Sequence, residues 1–232
     1  MLNAAILMCA LLQADDAAVK EALERFKTSM KGATPAAQAS AIQELSRTPH
    51  ESTFKQIAPF LMGGAKEARA AAGRGLGNFA DYKKLATPAL MNALNAGPNA
   101  RDYDVQAAIY EGLGKLADPT SADTVHKGFR HEQVKVAKAA LACAGSMRLK
   151  ESMEPLIELL KDIDKWIAKK QAGPYRDEKG SPGDESAGKA RLDDIQKAVI
   201  KAVQDITKEK WTTTKEWQIW WDKHKATFEP PK

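Results

Sequence analysis

Cysteine is nearly absent. Cys9 and Cys143 are the only two among 232 residues, too few for a disulfide framework, and no paired CxxC suggests a zinc ribbon. Histidine is almost as scarce: His50, His126, His131 and His224. His126 and His131 stand five apart, a poor fit to two ligands on one helix face, and HExxH does not occur, so metal chemistry has little support. No serine sits in a GxSxG elbow. Aromatics make up 6%. No apolar run reaches the roughly 20 residues that a membrane-crossing helix needs. Charge of one sign is lacking as well: 35 basic residues face 30 acidic ones, a net charge of +5. An excess that small describes a mixed, solvated surface. No cofactor is expected.

What is present is alanine and helical spacing. Hydrophobic residues are 44% of the chain, and alanine combines the best helix propensity with a side chain small enough for close helix packing. Residues 1–14, MLNAAILMCALLQA, carry no charged side chain. They resemble the apolar region of a secretory signal peptide, with Ala14 as the small residue before the cut; a short apolar helix on the first repeat is the alternative. Export would place the mature chain in the periplasm or outside the cell; without it the chain is cytoplasmic. Residues 15–33 read as a capping helix, through Val19, Leu23, Phe26 and Met30, ended by Gly32.

Helical pairs then recur over 34–168. Thr34-Pro35 is a cap followed by proline at the first helical position. Thr48 with Glu51 predicts a capping box for the next helix. Gly63-Gly64, Gly97-Pro98-Asn99 and Asp118-Pro119 mark breaks, and Thr87-Pro88 marks a start or a kink. Residues 72–81 align with 109–118, and 136–145 continue the series loosely. Leu45, Leu76, Leu113 and Leu141 then share one position, about 31, 37 and 28 residues apart, near the periods of helical repeats. Gly75 and Gly77 cost on the order of 1 kcal/mol each inside a helix, and tight helix packing is the expected compensation. A phosphate loop would need a preceding strand and a Lys-Ser or Lys-Thr ending, and neither is visible. Cys143 lies in an Ala-rich stretch and reads as a small core residue rather than a nucleophile.

On the Gly-Leu-Gly blocks at 75–77 and 112–114 and on Asp118-Pro119, the chain resembles the HEAT-repeat family, including the bacterial HEAT-like repeats grouped with phycobilin lyases. The resemblance covers about 35–165 and, less closely, 190–207. It implies an all-α fold: a right-handed α-α superhelix, or HEAT-like solenoid, of about five helical pairs. It also implies scaffolding and protein binding without catalysis; lyase activity belongs to a minority of the family, and no bilin-site residue transfers. Trp217-Gln218-Ile219-Trp220-Trp221 looks like the tail that follows such repeats in some exported bacterial proteins.

Residues 169–190 interrupt the pattern with Gly, Pro, Ser and charge and offer little to bury, so a flexible insertion is expected. Residues 191–232 form the last repeat and a Trp-rich cap: Leu192, Ile195, Val199 and Ile206 restore a helix, and Thr213 with Glu216 forms a capping box. Trp217, Trp220 and Trp221 cover the apolar end. Adjacent Trp220 and Trp221 cannot both face one core, which leaves an aromatic contact surface as the competing role. The expected partner is another protein. The concave face is assigned to the second helix of each pair, which makes Lys55, Asn92 and Lys127 candidate partner-binding residues, together with Trp220 and Trp221. A nucleic-acid solenoid is the alternative, on the cluster Lys127, Arg130, Lys135 and Lys138; it requires a basic stripe in every repeat.

Overall fold

The computed structural model describes the backbone of residues 2–171, 173–176 and 185–231, and within those ranges the side chains from Asp16 onward, Glu185 excepted. Eleven α-helices account for most of them: α1 (Leu2–Met30), α2 (Pro35–Leu45), α3 (Glu51–Ile57), α4 (Lys66–Leu76), α5 (Lys83–Leu94), α6 (Tyr103–Leu116), α7 (Ala122–Gly128), α8 (Val134–Met147), α9 (Met153–Ala168), α10 (Glu185–Thr207) and α11 (Thr214–His224). No strand occurs among the described residues, and the architecture is an all-α, HEAT-like solenoid.

Local chemistry sets most helix ends. Thr34 Oγ1 accepts from the Ala37 amide, with Pro35 at the first helical position. Thr213 and Glu216 close the expected capping box on α11. The box on α3 differs: its cap is His50, whose Nδ1 accepts from the Ser52 amide, while Thr53 Oγ1 accepts from the His50 amide. An extended His50 (φ −156°) keeps Pro49 outside the helix, so Thr48 is too early to cap it. Pro88 lies inside α5 rather than at its start.

The helices form two layers. In one, α2, α4, α6, α8 and α10 pack in series, with α1 laid against α2. In the other, α3, α5, α7 and α9 meet their neighbours largely through short 3-10 turns, and α11 packs on α9. The exposed side of the closely packed first layer, on α4, α6, α8 and α10, is termed the inner face. The sequence expectation assigned the concave face to the helices of the other layer.

Close approach in the inner layer explains the glycines. A Cβ on Gly77 would lie 2.8 Å from Gly112 Cα, and one on Gly112 would overlap the Gly73 carbonyl. Within the Gly-Leu-Gly blocks, Gly77 and Gly112 make the α4–α6 contact, while Gly75 faces Ser46 after α2 and Gly114 faces Cys143 on α8. Leu45, Leu76, Leu113 and Leu141 are all buried. Buried polar groups tie consecutive units together. Asn99 Nδ2 donates to the carbonyls of Leu61 and Ala93, both at 2.8 Å. Thr87 Oγ1 donates to Asp118 at 3.0 Å.

Within the interruption, residues 177–184 lie outside the described residues, and the expected flexibility falls largely there. Tyr175 is buried, contrary to the expectation that this stretch has little to bury. Its hydroxyl donates to the Phe129 carbonyl at 3.0 Å, its ring packs edge-on against Trp166, and Arg176 pairs backbone to backbone with the segment before α8.

Candidate functional site

Two surfaces hold the features a partner could use. The first is the inner face. Charged side chains emerge there, and most of the described ion pairs on this face run across helices; Lys201–Asp205 on α10 is the one that runs along a helix. Asp104 on α6 bridges Lys66 on α4, at 3.4 Å, and Lys135 on α8. Arg74 meets Glu111 at 2.6 Å, and Lys138 meets Asp194 of α10 at 3.5 Å. Hydrogen bonding from Lys135 is the main cause that holds the Asp104 carboxyl below its usual range. Where α4, α6 and α8 begin, Lys66, Arg101, Asp102, Tyr103, Asp104 and Lys135 line an open cleft of about 360 Å3. At its edge Arg69 and Asp102 form the most enclosed ion pair of this group, at 2.7 Å.

Exposed pairs of this kind each contribute only ~0.2–1 kcal/mol to stability. Their larger consequence is a surface whose positive and negative groups alternate in fixed places, and such patterning sets partner choice more than affinity. It also neutralises most of the basic cluster noted in the sequence. Arg130 pairs with Asp162 at 2.7 Å, Lys135 with Asp104 and Lys138 with Asp194.

The second surface is the carboxy-terminal aromatic cluster. Thr213 starts α11, so Trp217 and Trp221 fall one turn apart on the face that packs on α9. Both are buried, and the Trp221 indole donates to Glu154 at 2.6 Å. Trp220 is half-buried: it stacks on His224 (4.7 Å between centroids) and meets Phe228 edge-on. The adjacent tryptophans therefore divide as their spacing requires, with Trp221 inward and Trp220 at the boundary. Beside Trp220, Ile219 (60% exposed) and Trp211 (41% exposed) wall an apolar groove of about 260 Å3 that Glu216, Lys223 and His224 complete.

The candidates drawn from sequence do not converge. Lys55, Asn92 and Lys127 are exposed, one each on α3, α5 and α7, in the outer layer. Lys55 is occupied by Glu51 at 2.6 Å. Trp220 belongs to the groove, while Trp221 is structural. Sequence reading missed Asp104, Trp211 and Ile219. Ile219 sits two positions from Trp217, out of phase with the buried stripe, and that phase was its available signal.

The groups tested for chemistry are engaged structurally. Cys143 is buried, and burial pushes its thiol up to about 12. His50 caps α3, His131 Nδ1 accepts from the Gln133 amide, His126 pairs with Ser152 at 2.9 Å, and His224 bonds the Trp220 carbonyl. Burial also lowers the basicity of His126 and His131. No cluster suited to a metal ion occurs among the described residues, and no described helix is long and apolar enough to cross a membrane.

Residues 87–173 match a family model described as HEAT repeats. No curated protein matches the chain. The matched stretch runs from within α5 to just beyond α9, and the same inner-layer packing continues to α2 on one side and α10 on the other. The match to HEAT repeats and the helical packing that extends beyond it together support a HEAT-repeat architecture.

Proposed function

We propose that this protein is a non-catalytic scaffold that binds another protein along the inner face formed by α4, α6, α8 and α10. HEAT repeats commonly serve as protein-interaction scaffolds and are typically non-catalytic. The observation that carries the reading is the alternation of paired charges across that face: Lys66–Asp104–Lys135, Arg74–Glu111 and Lys138–Asp194. A polyanion is best met by an unbroken basic stripe. A folded protein surface, with charges of both signs, is met by a mosaic such as this one.

The test is affinity capture from the native cell with the full chain and with a double variant, Glu111→Arg plus Lys138→Glu. Both sites are exposed, so the fold should survive. The expected result is a specific partner with the unaltered chain and loss of that partner with the variant. Failure to recover any stable partner counts against the reading. Retention of DNA that weakens with salt would move the assignment to the nucleic-acid alternative. We further propose export after removal of residues 1–14, with a mature amino terminus at Asp15; intact mass from the native cell decides it.

A further inference from the structure

We infer that the groove between Trp211, Ile219 and Trp220 docks an amphipathic helix whose apolar stripe is flanked by carboxylates. This rests on the protein-binding reading and adds a second, chemically different contact to it.

Three observations point to that occupant. The first is shape. Glu216, Ile219, Trp220 and Lys223 recur at spacings of three and four along α11, and Trp211 lines the groove with them. The groove is therefore built largely on one helix face, and a helix laid against that face would meet it through i, i+3, i+4 anchors. At about 260 Å3 it lies below the roughly 300–1,000 Å3 of small-molecule sites, which favours one or two anchoring side chains over a free ligand. The second is composition. Trp211 and Ile219 are two of the few large apolar side chains left exposed, and they stand together. Tryptophan is among the residues most enriched in interface hot spots.

The third is charge. Lys223 lines the groove, and Lys208, Lys210 and Lys215 lie close in the chain to its Trp211 and Glu216 walls; none of the four forms an ion pair with a described residue. Of the nearby acids, Glu216 and Asp222 are already engaged, and Glu209 is the one left without a described side-chain partner. Glu216 accepts from the Thr212 and Thr213 amides and the Thr213 hydroxyl, which hold its carboxyl low. Asp222 faces Lys225. Beside the apolar floor, four unpaired lysines thus outnumber the one unengaged acid, Glu209, in contrast to the inner face, where most bases pair with acids. Carboxylates on either side of a leucine stripe would meet those lysines.

The probe is a dye-labelled synthetic helix with leucines at i, i+3 and i+4 flanked by glutamates, followed by anisotropy against the full-length protein. Two counterparts carry glutamine or lysine in place of glutamate. Saturable binding of the glutamate helix is expected, weaker binding of the glutamine helix and none of the lysine helix. Ile219→Glu and Trp211→Ala should each weaken it by about tenfold or more, and Lys223→Glu by a smaller factor that shrinks in high salt. Both Ile219 and Trp211 are surface positions, and circular dichroism checks that each variant is folded.

Absence of binding by any helix overturns the inference, as does binding that Ile219→Glu leaves unchanged. Association with anionic phosphatidylglycerol vesicles instead of the peptide reassigns the groove to a lipid surface. Self-association that disappears in Ile219→Glu reassigns it to a second copy. The inner-face variant, Glu111→Arg with Lys138→Glu, should bind the probe normally, so failure here and failure of the scaffold reading are separately visible.

Discussion

Gly112 sits where two helices come closest, and its lack of a side chain is what lets α6 approach α4. A methyl group there would overlap the Gly73 carbonyl, a backbone atom that cannot rotate away. Alanine is the better helix former, by on the order of 1 kcal/mol in isolation, yet here overpacking should win. Gly112→Ala is expected to destabilise the protein by ~1–3 kcal/mol, read as a lower urea midpoint with an unchanged slope. A gain in stability would mean that α4 and α6 slide apart cheaply and that the packing is loose. This glycine was legible from sequence because its block repeats: 72–81 aligned with 109–118, and a residue unfavourable in a helix recurred at one position. The cap of α3 was misread for a related reason. Thr48 and His50 both have acceptors suited to capping, and only the backbone direction after Pro49 decides between them.

At the scale of elements, the turn between α6 and α7 shows how one carboxylate fixes a connection. Asp118 caps the 3-10 turn that starts at Pro119, accepting from the Thr120 amide and hydroxyl, and its other oxygen accepts from Thr87 of α5. Burial pushes this carboxyl up, but those hydrogen bonds outweigh it and hold it below its ordinary value of 3.8. A group depressed in the folded state contributes stability above its unfolded value, and that contribution fades as pH falls through the folded one. Asp118→Asn should therefore cost about 1.5–3 kcal/mol at neutral pH, the range for hydrogen bonds to a charged group. The gap to the unaltered protein should narrow in urea melts below about pH 4. A gap that stayed constant with pH would assign the effect to shape alone. The Asp118-Pro119 turn was readable from two adjacent residues. The docking of Tyr175 was not, because its partner carbonyl belongs to Phe129, 46 residues earlier, and composition carries no trace of so distant a contact. The groove was partly readable: tryptophan density marked its region, but Ile219 and Trp211 become neighbours only once α11 has packed on α9.

Over the whole molecule, the core runs without interruption from Ile42 on α2 to Ile206 on α10, and each unit is stabilised chiefly by the units beside it. In a stack of this kind, stability approximates a sum of unit terms and nearest-neighbour interfaces, so damage at the centre and damage at an end should spread differently. Leu113 is fully buried on α6, with α4 on one side and α8 on the other, whereas Phe26 on α1 packs at one end, edge-on to Phe60. Leu113→Ala should cost about 2–5 kcal/mol and raise amide exchange on α4, α6 and α8 together, since losing the central interface uncouples both halves. Phe26→Ala removes a larger side chain, but its effect should be confined to α1, α2, α3 and the turn carrying Phe60, with exchange on α6 and α8 unchanged. Hydrogen exchange resolved by peptide mass separates the two patterns. Uniform acceleration across all helices in both variants would mean that the solenoid unfolds as one cooperative block. A partner could then act on the stack only as a whole, and the inner face and the α11 groove would respond to it together rather than as separate contacts.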